Sequence, residues 1–178
     1  MANLNVPNTL TLLRIFTIPV IVSMLVNGRH KTALWLFVFA SVTDLLDGLI
    51  ARLAKQQTRL GQFLDPAADK LMLVTSFVTF AYYGWVPVWL TVSILLRDLT
   101  VVVAWVAFYI VHRFVLIRSS LLGKAAIAMQ MVLCALVLLR LNYGDMAPAP
   151  DAFVWATLAF TIVSALHYLY MGLSYRRE

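Results

Sequence analysis

The sequence predicts an all-α integral membrane protein with six transmembrane helices. Of its 178 residues, 62% are hydrophobic and only 12% are charged, whereas a soluble domain is about half apolar and a quarter charged. A membrane-spanning helix needs about 20 predominantly apolar residues, so the apolar content suits five or six spans. The apolar runs are continuous, which favours helices over the alternating strands of a membrane barrel. This composition excludes a soluble enzyme, a disordered tail and a disulfide-stapled secreted module.

Short polar or turn-forming segments separate the six candidate spans. No internal repeat or low-complexity linker divides the chain, so residues 1–178 are expected to form a single membrane domain. Asp65 precedes Pro66, which is typical of a helix cap followed by proline at the first helical position, and this pair is expected to begin the third span. The spans are expected at residues 8–27, 32–54, 66–83, 86–111, 121–141 and 152–172.

The distribution of basic residues predicts the orientation in the membrane. An even number of spans places both termini on one side, together with the loops at 55–64 and 112–120. That side carries eight Lys and Arg residues and the opposite side three. Because cytoplasmic loops are enriched in basic residues, the termini and these two loops are expected in the cytoplasm. The same enrichment explains the net charge of +6, so a nucleic-acid partner is not expected.

Acidic residues are concentrated where the second predicted helix ends and the third begins. Four of the eight fall within 26 consecutive residues, from Asp44 to Asp69. At about 100° per residue, Asp44, Asp47 and Gly48 share one stripe of a helix. Asp65 and Asp69 are one turn apart on the next helix. If the two helices pack face to face, four carboxylates converge near the cytoplasmic interface.

Four converging carboxylates need positive charge nearby. Arg52 and Lys70, the nearest basic residues in the sequence, supply two positive charges against four negative ones. Oxygen ligands without nearby His or Cys favour Mg²⁺, Mn²⁺ or Ca²⁺ over zinc, and two metals under a phosphate recur in displacement at phosphorus. At this point two alternatives stay open: interhelical ion pairs that only order the bundle, and the cation site of a divalent-cation transporter.

The acidic segment also carries a recognisable spacing. It resembles the signature of the CDP-alcohol phosphatidyltransferases, with eight specified residues at fixed offsets. The resemblance implies a six-helix bundle of that family's type in a bacterial inner membrane, and a homodimer. It also implies an active site near the cytoplasmic face and two divalent cations, Mg²⁺ or Mn²⁺. The pattern is Asp44-x2-Asp47-Gly48-x2-Ala51-Arg52-x8-Gly61-x3-Asp65-x3-Asp69.

The resemblance further implies a role for each residue of the pattern. Asp69 would act as the general base that takes a proton from the acceptor hydroxyl. The acceptor oxygen would then attack the phosphorus that bears diacylglycerol in the donor, CDP-diacylglycerol, and release CMP. The implied metal ligands are Asp44, Asp47, Asp65 and Asp69. The implied contacts to the CDP part of the donor are Gly48, Arg52 and Thr58, with Asn8 and Thr11 as an additional nucleotide contact.

Two basic residues in the fourth and fifth spans bear on the acceptor. Arg97 and Lys124, 27 residues apart, resemble the family members that form phosphatidylglycerophosphate, which implies that they hold the phosphate of glycerol 3-phosphate. Arg14, Arg113 and Arg118 are further candidates for that phosphate. An internal ion pair with a carboxylate is the alternative for Arg97.

A second acceptor class stays open. Trp105 stands where glycerol-phosphate-using members often carry another arginine. The pair Arg97-Asp98 and the later Phe108-Tyr109 also resemble the cardiolipin-forming members, whose acceptor is phosphatidylglycerol. The sequence therefore predicts glycerol 3-phosphate as the acceptor, with phosphatidylglycerol or another alcohol as the alternative.

Overall fold

A computed structural model describes residues 6–53, 59–112 and 120–174, with side chains over 13–44, 67–103, 106 and 120–170. The described chain is all-helical, as the sequence predicts. Six long α helices and one short 3-10 turn, Gly144–Met146, account for almost all of it. The helices are α1 (Val6–Val26), α2 (His30–Leu53), α3 (Arg59–Tyr82), α4 (Val88–His112), α5 (Leu121–Tyr143) and α6 (Asp151–Ser174).

Five of the helices start and end within three residues of the predicted spans, and α3 differs. It begins at Arg59, seven residues before the expected start, so the prediction that Asp65 caps this helix is wrong. Pro66 lacks an N–H and cannot donate to the carbonyl four residues before it, yet α3 continues through this position. Leu60 and Gln62, which are good helix formers, extend the helix upstream of the proline.

The connection between α1 and α2 is a short, fully hydrogen-bonded turn. Gly28 has φ +70°, a left-handed conformation that glycine adopts without a Cβ clash. The Arg29 N–H donates to the Met24 carbonyl at 2.8 Å and the Gly28 N–H donates to the Leu25 carbonyl at 3.1 Å. This is the Schellman pattern of a helix C-terminus. Such a tight reversal places α2 alongside α1, and the two helices pack together.

The described chain falls into two compact units. The first comprises Met1–Phe80 and Cys134–Pro148, and the second Ala81–Leu133 and Ala149–Glu178. In the first unit α1 packs on α2, whereas in the second α4 packs on α6. That residues 1–178 act as a single domain stays a prediction. The first unit buries Ile21, Leu25, Phe37, Met72 and Phe77, and the second buries Val86, Leu90, Ile94 and Leu133.

The surface of these helices is apolar to an extent that suits lipid. Phe16 and Trp155 are 73% and 64% exposed, and many other large apolar side chains are exposed on α1, α2, α4 and α6. Within the described residues, two segments are long and apolar enough to cross a membrane, Leu121–Met146 and Asp151–Tyr170. An exposed apolar surface of this kind marks a membrane or protein contact.

Candidate active site

One buried arginine joins two of the predicted metal ligands within the first unit. Arg14 on α1 is only 3% exposed. Its Nη2 lies 2.6 Å from Oδ1 of Asp44 on α2, and its Nη1 lies 2.9 Å from Oδ1 of Asp69 on α3. Three helices therefore meet at one guanidinium, and the convergence predicted for the carboxylates of α2 and α3 is present for this pair.

The charges of this cluster do not balance among its three members. One guanidinium faces two carboxylates, whose side chains are 24% and 28% exposed for Asp44 and Asp69. Removing a charge from water is costly unless the charge is paired and hydrogen-bonded. Arg14 supplies that pairing for both carboxylates with two different nitrogens, because the guanidinium presents its donors as a planar fork. An excess of one negative charge is left within the trio.

The remaining acids of the pattern lie on the same two helices. Asp47 is three residues after Asp44 on α2, and Asp65 is four residues before Asp69 on α3, spacings that place neighbours on one helix face. Their side chains lie outside the described residues, so the meeting of all four carboxylates stays a prediction. The same holds for the side chains of Asn8 and Thr11 on α1 and of Gly48 and Arg52 on α2, and Thr58 lies wholly outside the described residues.

The donor atoms fit a hard divalent cation in their chemistry. Carboxylate oxygens are the ligands that Mg²⁺ and Mn²⁺ prefer, and Asp44 and Asp69 approach each other closely enough to share one cationic partner. Within the side chains that the structure describes, no group of three or more His, Cys, Asp or Glu residues is assembled. A complete ligand set thus needs Asp47 and Asp65 in addition to the described pair.

A second buried arginine lies in the second unit, in different surroundings. Arg97 on α4 is 5% exposed. Its Nη1 donates to Oδ1 of the adjacent Asp98 at 2.7 Å, and its Nε and Nη2 donate to Ser164 Oγ at 3.2 and 2.8 Å. The guanidinium carbon lies 5.7 Å from the centre of the Tyr168 ring, within the range of a cation–π contact. The internal ion pair that the sequence left open for Arg97 is therefore present.

Gly123 at the start of α5 completes this network. Its carbonyl oxygen is 3.5 Å from Nη2 of Arg97. A Cβ at this position would lie 2.7 Å from the Tyr168 hydroxyl oxygen and 3.3 Å from Arg97 Nη2, so the missing side chain is what permits the approach. Lys124 follows directly and is exposed on the first turn of α5. The Ser120 hydroxyl accepts a hydrogen bond from the Gly123 N–H at 3.0 Å, which is an N-cap contact.

Each of the two arginine clusters has a feature that the sequence did not predict. Arg14 was predicted only as a candidate for the acceptor phosphate, whereas the structure places it on Asp44 and Asp69. Ser164 and Tyr168 were not predicted at all. The available signal was a polar stripe on an otherwise apolar helix: Thr157, Thr161, Ser164 and Tyr168 recur at helical spacing along α6, and the first three are buried.

An apolar, all-helical chain with a charged cluster of this kind has the features of a membrane protein that handles a charged ligand. Comparison with known families gives the particular class. Residues 4–163 match the family model of the CDP-alcohol phosphatidyltransferases, a span that includes every residue of the acidic pattern. The chain therefore belongs to the CDP-alcohol phosphatidyltransferase family, and the resemblance carried by the acidic pattern is confirmed.

The similar proteins are named either for the formation of phosphatidylglycerophosphate or for the formation of cardiolipin. The chain is 34% identical to a probable phosphatidylglycerophosphate synthase of Mycobacterium tuberculosis, over 93% of this chain and 80% of that protein. It is 29% identical to the CDP-diacylglycerol–glycerol-3-phosphate 3-phosphatidyltransferase of Bacillus subtilis, over 92% and 93%. It is also 32% identical to the human cardiolipin synthase (CMP-forming), over 94% of this chain. The chain spans 61% of the length of the human protein.

Proposed function

We propose that this protein transfers a phosphatidyl group from CDP-diacylglycerol to glycerol 3-phosphate, giving phosphatidylglycerophosphate and CMP. The observation that carries the proposal is the meeting of Asp44 and Asp69 at Arg14, in a chain that belongs to the CDP-alcohol phosphatidyltransferases. The names of the Mycobacterium and Bacillus relatives support the acceptor.

The reaction needs a base, an in-line attack and a leaving group. Asp69 accepts the proton of the acceptor hydroxyl, and Arg14 Nη1 holds its Oδ1 at 2.9 Å. The acceptor oxygen forms a bond to the phosphorus that carries diacylglycerol, and the bond from that phosphorus to the CMP oxygen breaks. Two divalent cations, held by Asp44, Asp47, Asp65 and Asp69, would neutralise the diphosphate charge. Catalysis of this type consists mostly of positioning and charge stabilisation.

The donor nucleotide and the reacting phosphates are assigned to the polar ends of α1, α2 and α3. Gly48 leaves room for close approach to the backbone of α2, since it has no Cβ, and Arg52 suits a diphosphate because guanidinium donates in a planar fork. Thr58, Asn8 and Thr11 complete the proposed nucleotide contacts. These assignments are supported by the match of their positions to the family pattern.

The proposed setting is a bilayer that all six helices cross. Each helix has 21 to 25 residues, enough for a hydrocarbon core about 30 Å thick. The excess of basic residues on one side supports cytoplasmic termini and a cytoplasmic active site. A homodimer in a bacterial inner membrane is part of the same proposal. In this setting the acyl chains stay in lipid while CMP and the acceptor exchange with the cytosol.

Phosphatidylglycerol is the second candidate acceptor. The contacts of Arg97 favour it. Arg97 is proposed, with Lys124, to hold the phosphate of glycerol 3-phosphate, yet its nitrogens already donate to Asp98 and Ser164. An arginine neutralised by its own neighbour is a weaker phosphate ligand than an unpaired one. In a cardiolipin-type reaction, as the name of the human relative describes for that protein, the acceptor phosphate is a diester with a lower charge, so the reaction depends less on Arg97.

An assay of CMP release tests the proposal. Purified protein is supplied with CDP-diacylglycerol and Mg²⁺ or Mn²⁺, and glycerol 3-phosphate is compared with phosphatidylglycerol, inositol phosphate and serine. We expect turnover with glycerol 3-phosphate and its loss in Asp69→Asn, while the exposed Asp151→Asn serves as the matched control. Turnover with phosphatidylglycerol alone would select the second candidate. Absence of CMP with every acceptor, together with metal flux into liposomes, would favour a transporter instead.

A further inference from the structure

We infer that Arg14 is a positioning residue of the metal site, which holds the carboxylates of Asp44 and Asp69 in the arrangement in which they bind the cation. This inference rests on the proposed function, because it assumes that the two carboxylates ligate a divalent metal. It assigns to α1 a part in the metal site that the acidic pattern, confined to α2 and α3, does not include.

The geometry of the ion pairs supports this role. Two different nitrogens of Arg14 each contact one Oδ1 atom, at 2.6 Å for Asp44 and 2.9 Å for Asp69. A carboxylate offers about four lone-pair sites, so one contact to Arg14 does not use up the capacity of either group to bind a cation. The arginine side chain is 2% exposed, and a buried, forked cation fixes its partners more strictly than a solvated one. Ligand carboxylates are commonly held in this way by an outer hydrogen-bond donor.

The alternative role of Arg14, as a ligand of the acceptor phosphate, fits the contacts less well. Both Nη atoms already face carboxylates, and the residue is 3% exposed. A phosphate that approached this guanidinium would meet the negative charge of Asp44 and Asp69 at the same point. Repulsion between like charges at such separations disfavours that arrangement. The contacts therefore point to a role toward a cation rather than an anion.

The sign of a change in metal affinity distinguishes this role from a different one, in which Arg14 stands in for the metal. If Arg14 only took the place of the metal and had to leave when the metal bound, its removal would free the two carboxylates and tighten metal binding. If Arg14 positions them, its removal weakens metal binding. Loss of an outer-shell partner of this type typically costs about 10- to 100-fold in metal affinity. The direction of the change thus separates the two roles.

The experiment measures Mn²⁺ affinity directly, by electron paramagnetic resonance of detergent-solubilised full-length protein. We expect Arg14→Ala to weaken Mn²⁺ binding about 10- to 100-fold. Arg14→Lys should recover part of the loss, since a single ammonium keeps the charge without the fork. Arg140→Ala, which removes another ion-paired arginine of the same unit, is the matched control and should bind Mn²⁺ as the unmodified protein does.

Unchanged or tighter Mn²⁺ binding in Arg14→Ala would overturn the inference. If that variant does not fold, Arg14→Lys decides, because it retains the positive charge: weaker binding supports the positioning role, and unchanged binding overturns it. CMP release measured in parallel separates the two proposals. Turnover by the unmodified protein with unaltered Mn²⁺ affinity in the variants refutes only the role of Arg14. Weakened Mn²⁺ affinity in the variants, together with no turnover by the unmodified protein, refutes only the proposed reaction.

Discussion

Among the described residues, each unit of the protein buries one arginine, and the two arginines have different partners. Arg14 faces two carboxylates that come from other helices, Asp44 and Asp69. Arg97 faces one carboxylate, which is its own neighbour Asp98, and otherwise a hydroxyl, a carbonyl and an aromatic ring. The first cluster has more negative than positive charge, whereas the Arg97–Asp98 pair is balanced.

This difference separates a cluster suited to a cation from one in which the arginine is already paired by its own neighbour. Two carboxylates that are brought together and a quarter exposed can be reached by a cation. Arg97 is paired with Asp98 and also donates to Ser164 and toward the Gly123 carbonyl, contacts that hold α4 against α5 and α6. We therefore expect changes in the first cluster to alter turnover and metal response, and loss of the Asp98 charge in the second to lower stability.

Asp69→Asn should have the largest effect on turnover. The amide cannot accept the proton of the acceptor hydroxyl, and loss of a positioned general base lowers rates about 10²- to 10⁴-fold. Folding should change little, because Arg14 keeps its ion pair with Asp44. CMP release and thermal unfolding in detergent measure the two effects. Full activity of this variant would contradict the assignment of Asp69 as the base.

Asp98→Asn should have its main effect on stability. Removal of one partner from a buried ion pair leaves an uncompensated charge and costs about 3 to 5 kcal/mol in unfolding free energy. The double variant Arg97→Met with Asp98→Asn removes both charges and should recover part of that loss. Thermal unfolding of the three proteins checks the expectation. If Asp98→Asn is as stable as the unmodified protein, the Arg97 network does not hold the fold.

Gly123→Ala should destabilise the second unit through a clash rather than a charge. The new Cβ would lie 2.7 Å from the Tyr168 hydroxyl oxygen, and overpacking of this kind typically costs about 1 to 3 kcal/mol. Tyr168→Phe removes the closest atom, so the double variant should lose less stability than the sum of the two single changes. Unfolding measurements on all four proteins of the cycle give this coupling. Simple additivity would show that Tyr168 does not restrict residue 123.

Part of the fold and of the candidate site could be predicted from the sequence. The length and spacing of the apolar runs are sufficient to place six helices, because a continuous run of about 20 apolar residues rarely forms any other secondary structure. The fixed spacing of Asp44 to Asp69 identifies the family. The start of α3 was missed, since Asp65-Pro66 has the local features of a cap although the helix continues upstream of it.

The partners of the two arginines could not be predicted in the same way. Arg14 and Asp69 are 55 residues apart, and Arg97 and Ser164 are 67 residues apart. Helical spacing relates residues within one helix, so it does not indicate which face of one helix meets which face of another. The contact of Arg97 with Asp98 is local and was among the alternatives that the sequence left open. Contacts between helices required the structure.

Asp145→Asn should have the smallest effect on stability. It tests whether burial explains the larger loss expected for Asp98→Asn. Asp145 forms an ion pair with Arg140, but its side chain is 97% exposed, and exposed pairs contribute about 0 to 1 kcal/mol. Arg140 also donates to the carbonyl oxygens of Gly144 and Ala147, at 2.8 and 3.2 Å, so the loop keeps its main contacts in this variant. We expect an unfolding temperature close to that of the unmodified protein and unaltered CMP release. A loss of stability as large as that of Asp98→Asn would mean that ion pairs stabilise this protein regardless of burial. Burial of the Arg97–Asp98 pair would then not explain the effect of Asp98→Asn.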